Sequence, residues 1–162
     1  MRPPLGIILT VATLLLGGPP AQAQIDCSVP DALCTGDPCV IPTVEVGYPF
    51  CIVDFGPRAV VVAGRLKVPT GGTLSLTAAS ITVDGRIRGR IVNNVTLVAT
   101  AGDVVLTGPI SSQPLGFDGA GTIALQASGD IVTNAPIRVP GTYDTPTVTL
   151  EAGGDIVVAR GI

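Results

Sequence analysis

Four stretches of this chain are near copies of one another: "TLSLTAASITVDGRI" (73–87), "NVTLVATAGDVVLTGPI" (94–110), "TIALQASGDIVTNAPI" (122–137) and "TVTLEAGGDIVVARGI" (147–162). A leading half copy, "AVVVAGRL" (59–66), matches "SITVDGRI". The aliphatic residues that close the copies, Leu66, Ile87, Ile110, Ile137 and Ile162, are 21, 23, 27 and 25 positions apart. A period that is bounded but variable marks a solenoid whose coils share strands and differ in loops.

Inside each copy the apolar residues alternate, as in Leu74/Leu76, Val95/Leu97, Ile123/Leu125 and Val148/Leu150, and each pair is followed by Ala78, Ala99, Ala127 or Ala152. A period of two sends these side chains to one face, the inside. A corner with Asp or Ser follows, then a second short strand, then a turn that carries Gly64, Gly85 or Gly108 in three copies. Such runs are too short for amphipathic helices, and the glycines interrupt any helical period. The expected fold is all-β: a single-stranded parallel β-helix (β-solenoid) of about five coils over 59–162, roughly 25 Å long at the usual strand spacing. The variable loops 111–121 and 138–146 both follow a closing Ile, so both are expected on one side.

Composition agrees with short strands and many turns. The chain of 162 residues is 46% hydrophobic but only 3% aromatic, has no Trp or His, and contains 21 Gly and 15 Pro. Its start reads as a signal peptide, residues 1–23: Arg2, the apolar run "LGIILTVATLLL", and Ala21 and Ala23 in the spacing of a cleavage site. The apolar run ends at Gly17-Gly18-Pro19-Pro20, short of the ~20 residues a membrane-spanning helix needs. Without Arg2, 8 basic residues face 12 acidic ones, a balance that speaks against nucleic acid as a partner. Cys27, Cys34, Cys39 and Cys51 all lie in the 24–58 segment, which is expected to be a disulfide-bonded N-terminal cap. Their spacing matches no common zinc finger, and three pairings are open.

The run L-x-A-x-G-D-I, in "LQASGDI" and "LEAGGDI", resembles the coils of filamentous-haemagglutinin and autotransporter-passenger β-helices. The resemblance covers about 59–162 and implies a secreted bacterial adhesin or surface scaffold. The segment "DCSVPDALCTGDPCVI" is similar to cysteine-rich starts of exported bacterial β-helix proteins.

Strand alternation in "RLKV" and "RIRGRI" turns Leu66, Val68, Ile87, Gly89 and Ile91 inward, so Arg65, Lys67, Arg86, Arg88 and Arg90 point out. Stacking sets Arg65 beside Arg86 and Lys67 beside Arg88, and Arg138 returns to the latter column two coils on. This face is a candidate binding surface for anionic polysaccharide or other acidic cell-surface components; equally, such charges keep a sheet from associating laterally. Asp103, Asp130 and Asp155 occupy equivalent corners. They are weak candidates for Ca²⁺, against the plainer reading that Asp bonds backbone at a turn. With no His, and with the cysteines assigned to disulfides, nucleophilic triads are excluded; two Tyr and three Phe do not line a glycosidase cleft. No catalytic residues and no cofactor are expected.

The expected function is therefore a non-catalytic exported surface, structural or adhesive protein. The alternatives are an anionic-glycan-binding module, or a fragment of a polysaccharide-processing β-helix enzyme, since polysaccharide lyases also use this fold. Natural solenoids cover their end strands. With nothing after Ile162 to do so, the repeats are expected to be incomplete at the C-terminus and the exposed edge to support self-association.

Overall fold

The structure, a computed structural model, describes residues 27, 29–47, 50–69, 71–90, 94–113, 121–139 and 145–162, with Arg90 and Gln113 by backbone alone. The signal-peptide stretch, Ile91 and the central parts of both variable loops lie outside these residues.

After a single turn of helix, α1 (Pro30–Leu33), every further element of the described residues is a strand. The first coil is β1 (Cys39–Ile41), β2 (Val44–Glu45) and β3 (Phe50–Asp54); the second is β4 (Ala59–Val62), β5 (Arg65–Val68) and β6 (Thr73–Ala78). The third is β7 (Ser80–Val83), β8 (Arg86–Arg90) and β9 (Asn94–Ala99), and the fourth is β10 (Val104–Leu106), β11 (Ile110–Gln113) and β12 (Thr122–Ala127). The fifth is β13 (Ile131–Thr133), β14 (Ile137–Arg138) and β15 (Thr147–Ala152), and β16 (Ile156–Val158) opens a sixth. Equivalent strands stack into three parallel sheets. Sheet 1 runs β1-β4-β7-β10-β13-β16, sheet 2 β2-β5-β8-β11-β14 and sheet 3 β3-β6-β9-β12-β15. This is the parallel β-solenoid the repeat predicts.

Alternation within strands and register between them together make the core a set of columns. In sheet 3, Leu74 pairs with Val95, which pairs with Ile123, which pairs with Val148; Leu76, Leu97, Leu125 and Leu150 form the next column, and Ala78, Ala99, Ala127 and Ala152 the third. Leu66, Ile87, Ile110 and Ile137, the closing residues of the sequence repeat, form a column of sheet 2. Nearly all of these are buried through the fourth coil, each large one contributing about 1.5–3 kcal/mol relative to exposure. Among the described residues two core positions carry hydroxyls, Ser112 and Thr133, and both are fully buried without a hydrogen-bond partner.

The coils begin earlier than the self-alignment of the sequence shows. β1, β2 and β3 pair in register with the second coil, one on each sheet, so among the described residues of the cysteine-rich segment before β1 it is Cys27 and 29–38 that stand apart as a cover. Cys39 lies under Val60 and Cys51 under Leu74, both in core columns, and their side chains are fully buried. The disulfides Cys34–Cys39 and Cys27–Cys51, with Cα atoms 5.4 and 5.1 Å apart, therefore join the covering segment to the floor of the first coil. Cys27, Leu33 and Cys34 are buried against the same core. On the outside, Arg58 donates to Asp31 of α1 at 2.8 Å while its guanidinium lies over the Phe55 ring, 5.6 Å from the centroid. Two disulfides suit an oxidising compartment.

Candidate functional site

Sheet 2 positions the basic residues, and its register is that read from the alternation. Arg65 pairs with Arg86 and Lys67 with Arg88; Arg88 then pairs with Ser111, and Ser111 with Arg138. Leu66, Val68, Ile87 and Gly89 are buried on the opposite face. Arg65, Arg86 and Arg138 are exposed, and Lys67 and Arg88 are half-buried. Arg90 continues β8 opposite Gln113, but its side chain lies outside the described residues.

Lys67 differs from the others. Its neighbour in the first coil is Glu45, and its ammonium donates to that carboxylate at 2.6 Å. The pair removes one charge from the face. Toward the C-terminal end of the face three arginines, Arg86, Arg88 and Arg138, are set around a gap. In the column Glu45, Lys67, Arg88, Ser111, Arg138 the fourth coil supplies a small residue, and beside it the column that starts Arg65, Arg86 reaches Pro109 and Pro136. The result is a depression of about 410 Å³ whose lining includes Arg86, Arg88, Pro109, Ser111, Ser112, Pro136 and Arg138. Among the described residues no carboxylate lines it. A planar fork of N–H donors on either side of a short hydroxyl residue is suited to a planar or tetrahedral oxyanion.

The aspartate column has a different use. The carboxylate of Asp103 accepts the backbone N–H of Asp130, and that of Asp130 accepts the N–H of Asp155, both at 2.8 Å. At the N-terminal end Asp37 accepts the N–H of Ala59 at 3.0 Å. This ladder also accounts for the glycine of the G-D-I motif. A Cβ on Gly129 would fall on the carboxylate of Asp103, and one on Gly154 on that of Asp130, whereas Gly102, above the short Ser80, meets nothing closer than 3.3 Å. Among the described residues no three His, Cys, Asp or Glu side chains come together to hold a metal ion. We expect the melting temperature to be the same in millimolar Ca²⁺ and in chelator. Asp130→Ala should lower stability by about 1 kcal/mol and Asp130→Asn by much less, because the amide oxygen can still accept. A Ca²⁺-dependent rise in melting temperature that Asp130→Asn abolishes would show that the column binds metal.

Compared with known proteins, the chain matches no family model, no curated protein and no solved structure.

Proposed function

We propose that this is an exported, non-catalytic β-solenoid of the cell surface that adheres to anionic polysaccharide through the outer face of sheet 2. The observation that carries the reading is the register that brings Arg65, Arg86, Arg88 and Arg138 onto one face of a chain whose net charge is negative. Scattered charges would be a solubility device; cations gathered against the overall balance give a local positive potential that attracts polyanions. Export is supported by the signal-peptide pattern of 1–23 and by two disulfides in the N-terminal region. The likeness of the L-x-A-x-G-D-I coils to secreted bacterial haemagglutinin repeats points to a surface role.

The test is retention on a heparin-like matrix at low salt. The parent chain should be retained and should elute early in a salt gradient, because exposed charges are screened over ~8 Å at physiological ionic strength. Replacing Arg86, Arg88 and Arg138 together by Ser should abolish retention. Equal elution of parent and triple variant would leave the arginines a purely protective role on the sheet surface.

A further inference from the structure

We propose that the depression on sheet 2 binds a single acidic sugar unit, with its carboxylate or sulfate group held between Arg88 and Arg138 and flanked by Arg86. This rests on the reading that the face engages anionic glycan, and it specifies the place and the unit. The geometry follows from the coil spacing. Arg88 and Arg138 belong to the third and fifth coils, so their backbones are two rungs apart, about 10 Å. Ser111 on the rung between them leaves that distance open instead of filling it with a third long side chain. A continuous row of arginines would present a ridge; the interrupted row presents a notch.

The lining fits a sugar better than a bare ion. Pro109 and Pro136 stack at the corner beside the gap, and proline lacks a backbone donor, so this wall is rigid and apolar. The C–H face of a pyranose can lie on it while ring hydroxyls reach the Ser111 hydroxyl, which both donates and accepts. A volume of about 410 Å³ lies near the lower end of small-ligand sites, too small for a folded partner and adequate for one or two sugar units. The guanidinium groups supply charge-assisted hydrogen bonds to the acidic substituent, each having several N–H donors to offer, and among the described residues no acidic side chain lines the notch.

The substitution Ser111→Arg separates a site from a diffuse charged surface, because it adds a positive charge and fills the notch at once. The probes are a sulfated uronate disaccharide, with neutral cellobiose as control, titrated calorimetrically into the full chain at low salt, alongside retention on the heparin-like matrix. The parent should bind the disaccharide and not cellobiose. Ser111→Arg should weaken disaccharide binding by about tenfold or more while retention on the matrix stays equal or increases. Arg138→Ser should weaken disaccharide binding by a similar factor and serves alone should the Ser111 variant fail to fold. Disaccharide binding that is unchanged or tighter in Ser111→Arg, or unchanged in Arg138→Ser, would overturn the notch as a site and leave the cationic face standing. Parent chain that is retained on the matrix but does not bind the disaccharide would do the same. Parent chain that is not retained on the matrix would remove the wider reading as well.

Discussion

Replacing Gly85 or Gly108 by Ala should split the solenoid between coils, while Gly161→Ala should leave it unchanged. The corner from sheet 1 to sheet 2 is a column of Gly64, Gly85 and Gly108, and each coil presses its backbone directly onto the one before. The carbonyl of Ile41 accepts the N–H groups of both Ala63 and Gly64, at 3.0 and 3.2 Å; that of Val62 accepts Asp84 and Gly85, at 3.1 and 2.8 Å; that of Val83 accepts Thr107 and Gly108, at 2.9 and 2.7 Å. A Cβ on Gly85 would fall on the carbonyl oxygen of Gly64, and one on Gly108 on that of Gly85. The struck atom cannot retreat, since the Gly64 carbonyl itself accepts the N–H of Arg86 at 2.9 Å. The fifth coil shows what relief looks like: Ala135 takes the equivalent place, and there Asn134 alone donates to the carbonyl of Leu106, at 2.7 Å. At Gly85 both corner N–H groups, those of Asp84 and Gly85, are bonded to the Val62 carbonyl, so the same relief would cost one of these bonds. We expect a loss of about 3 kcal/mol. Because stability in a solenoid is passed between neighbours, the denaturation profile should also broaden as the two halves uncouple. Gly161 has nothing within 4 Å of its Cβ position, so its variant should stay within about 0.5 kcal/mol of the parent. Equal denaturation midpoints for Gly85→Ala and Gly161→Ala would refute the close-packed corner.

That glycine column was visible in the alignment of the copies, as were the core columns and the pairing of Arg65 with Arg86 and Lys67 with Arg88. All of these follow from a period of two and a repeated closing residue, and both survive in sequence wherever coils are alike. The first coil does not look like the others. Cys39 and Cys51 stand where aliphatic residues stand elsewhere, and β2 is only two residues long, so no alternation betrays it. By sequence this coil is therefore indistinguishable from the cover, and nothing in the pattern sets Glu45 beside Lys67. The notch escaped for another reason. The substitutions that make it, Arg86 to Pro109 to Pro136 and Arg88 to Ser111, are legible in the aligned copies. That they enclose a space depends on two columns packing side by side, and no single strand pattern encodes that. The G-D-I motif could be recognised as a likeness, but its cause, a carboxylate of one coil lying where the next coil's Cβ would be, is a contact between residues about 25 positions apart.

The polypeptide from Gln24 to Ile162 should form dimers in a concentration-dependent way, through the strands β14, β15 and β16. In each coil the backbone N–H of a core-facing residue points to the next coil: Ile81 donates to the carbonyl of Asp103 at 3.0 Å, Val104 to that of Asp130 at 2.9 Å, and Ile131 to that of Asp155 at 2.9 Å. The same groups of Ile156, Val158, Val148 and Leu150 form the free edge of this polypeptide, and the side chains there are correspondingly open: Ile156 is 46%, Val157 49%, Val158 41% and Ile162 62% exposed. An edge that is apolar and carries unpaired donors and acceptors templates strand addition. The opposite end is covered by Cys27 and 29–38 with the two disulfides, so head-to-tail stacking into a filament is obstructed. Two C-terminal edges must meet each other, which closes the assembly at two copies. Val158→Pro removes an outward donor while the inward ladder at this point is held by Ala159, whose N–H donates to Thr133 at 2.9 Å. Combined with Thr147→Lys and Thr149→Lys, which add charge along the outer face of the edge strand, it should leave the chain monomeric with the upstream coils folded. Sedimentation velocity over a hundredfold range of concentration, about 1 to 100 µM, checks both points: the parent should shift from monomer to dimer and the triple variant should not. A series of ever larger species would contradict the covered N-terminal end. A parent that stays monomeric throughout would show that these edge strands do not recruit a partner.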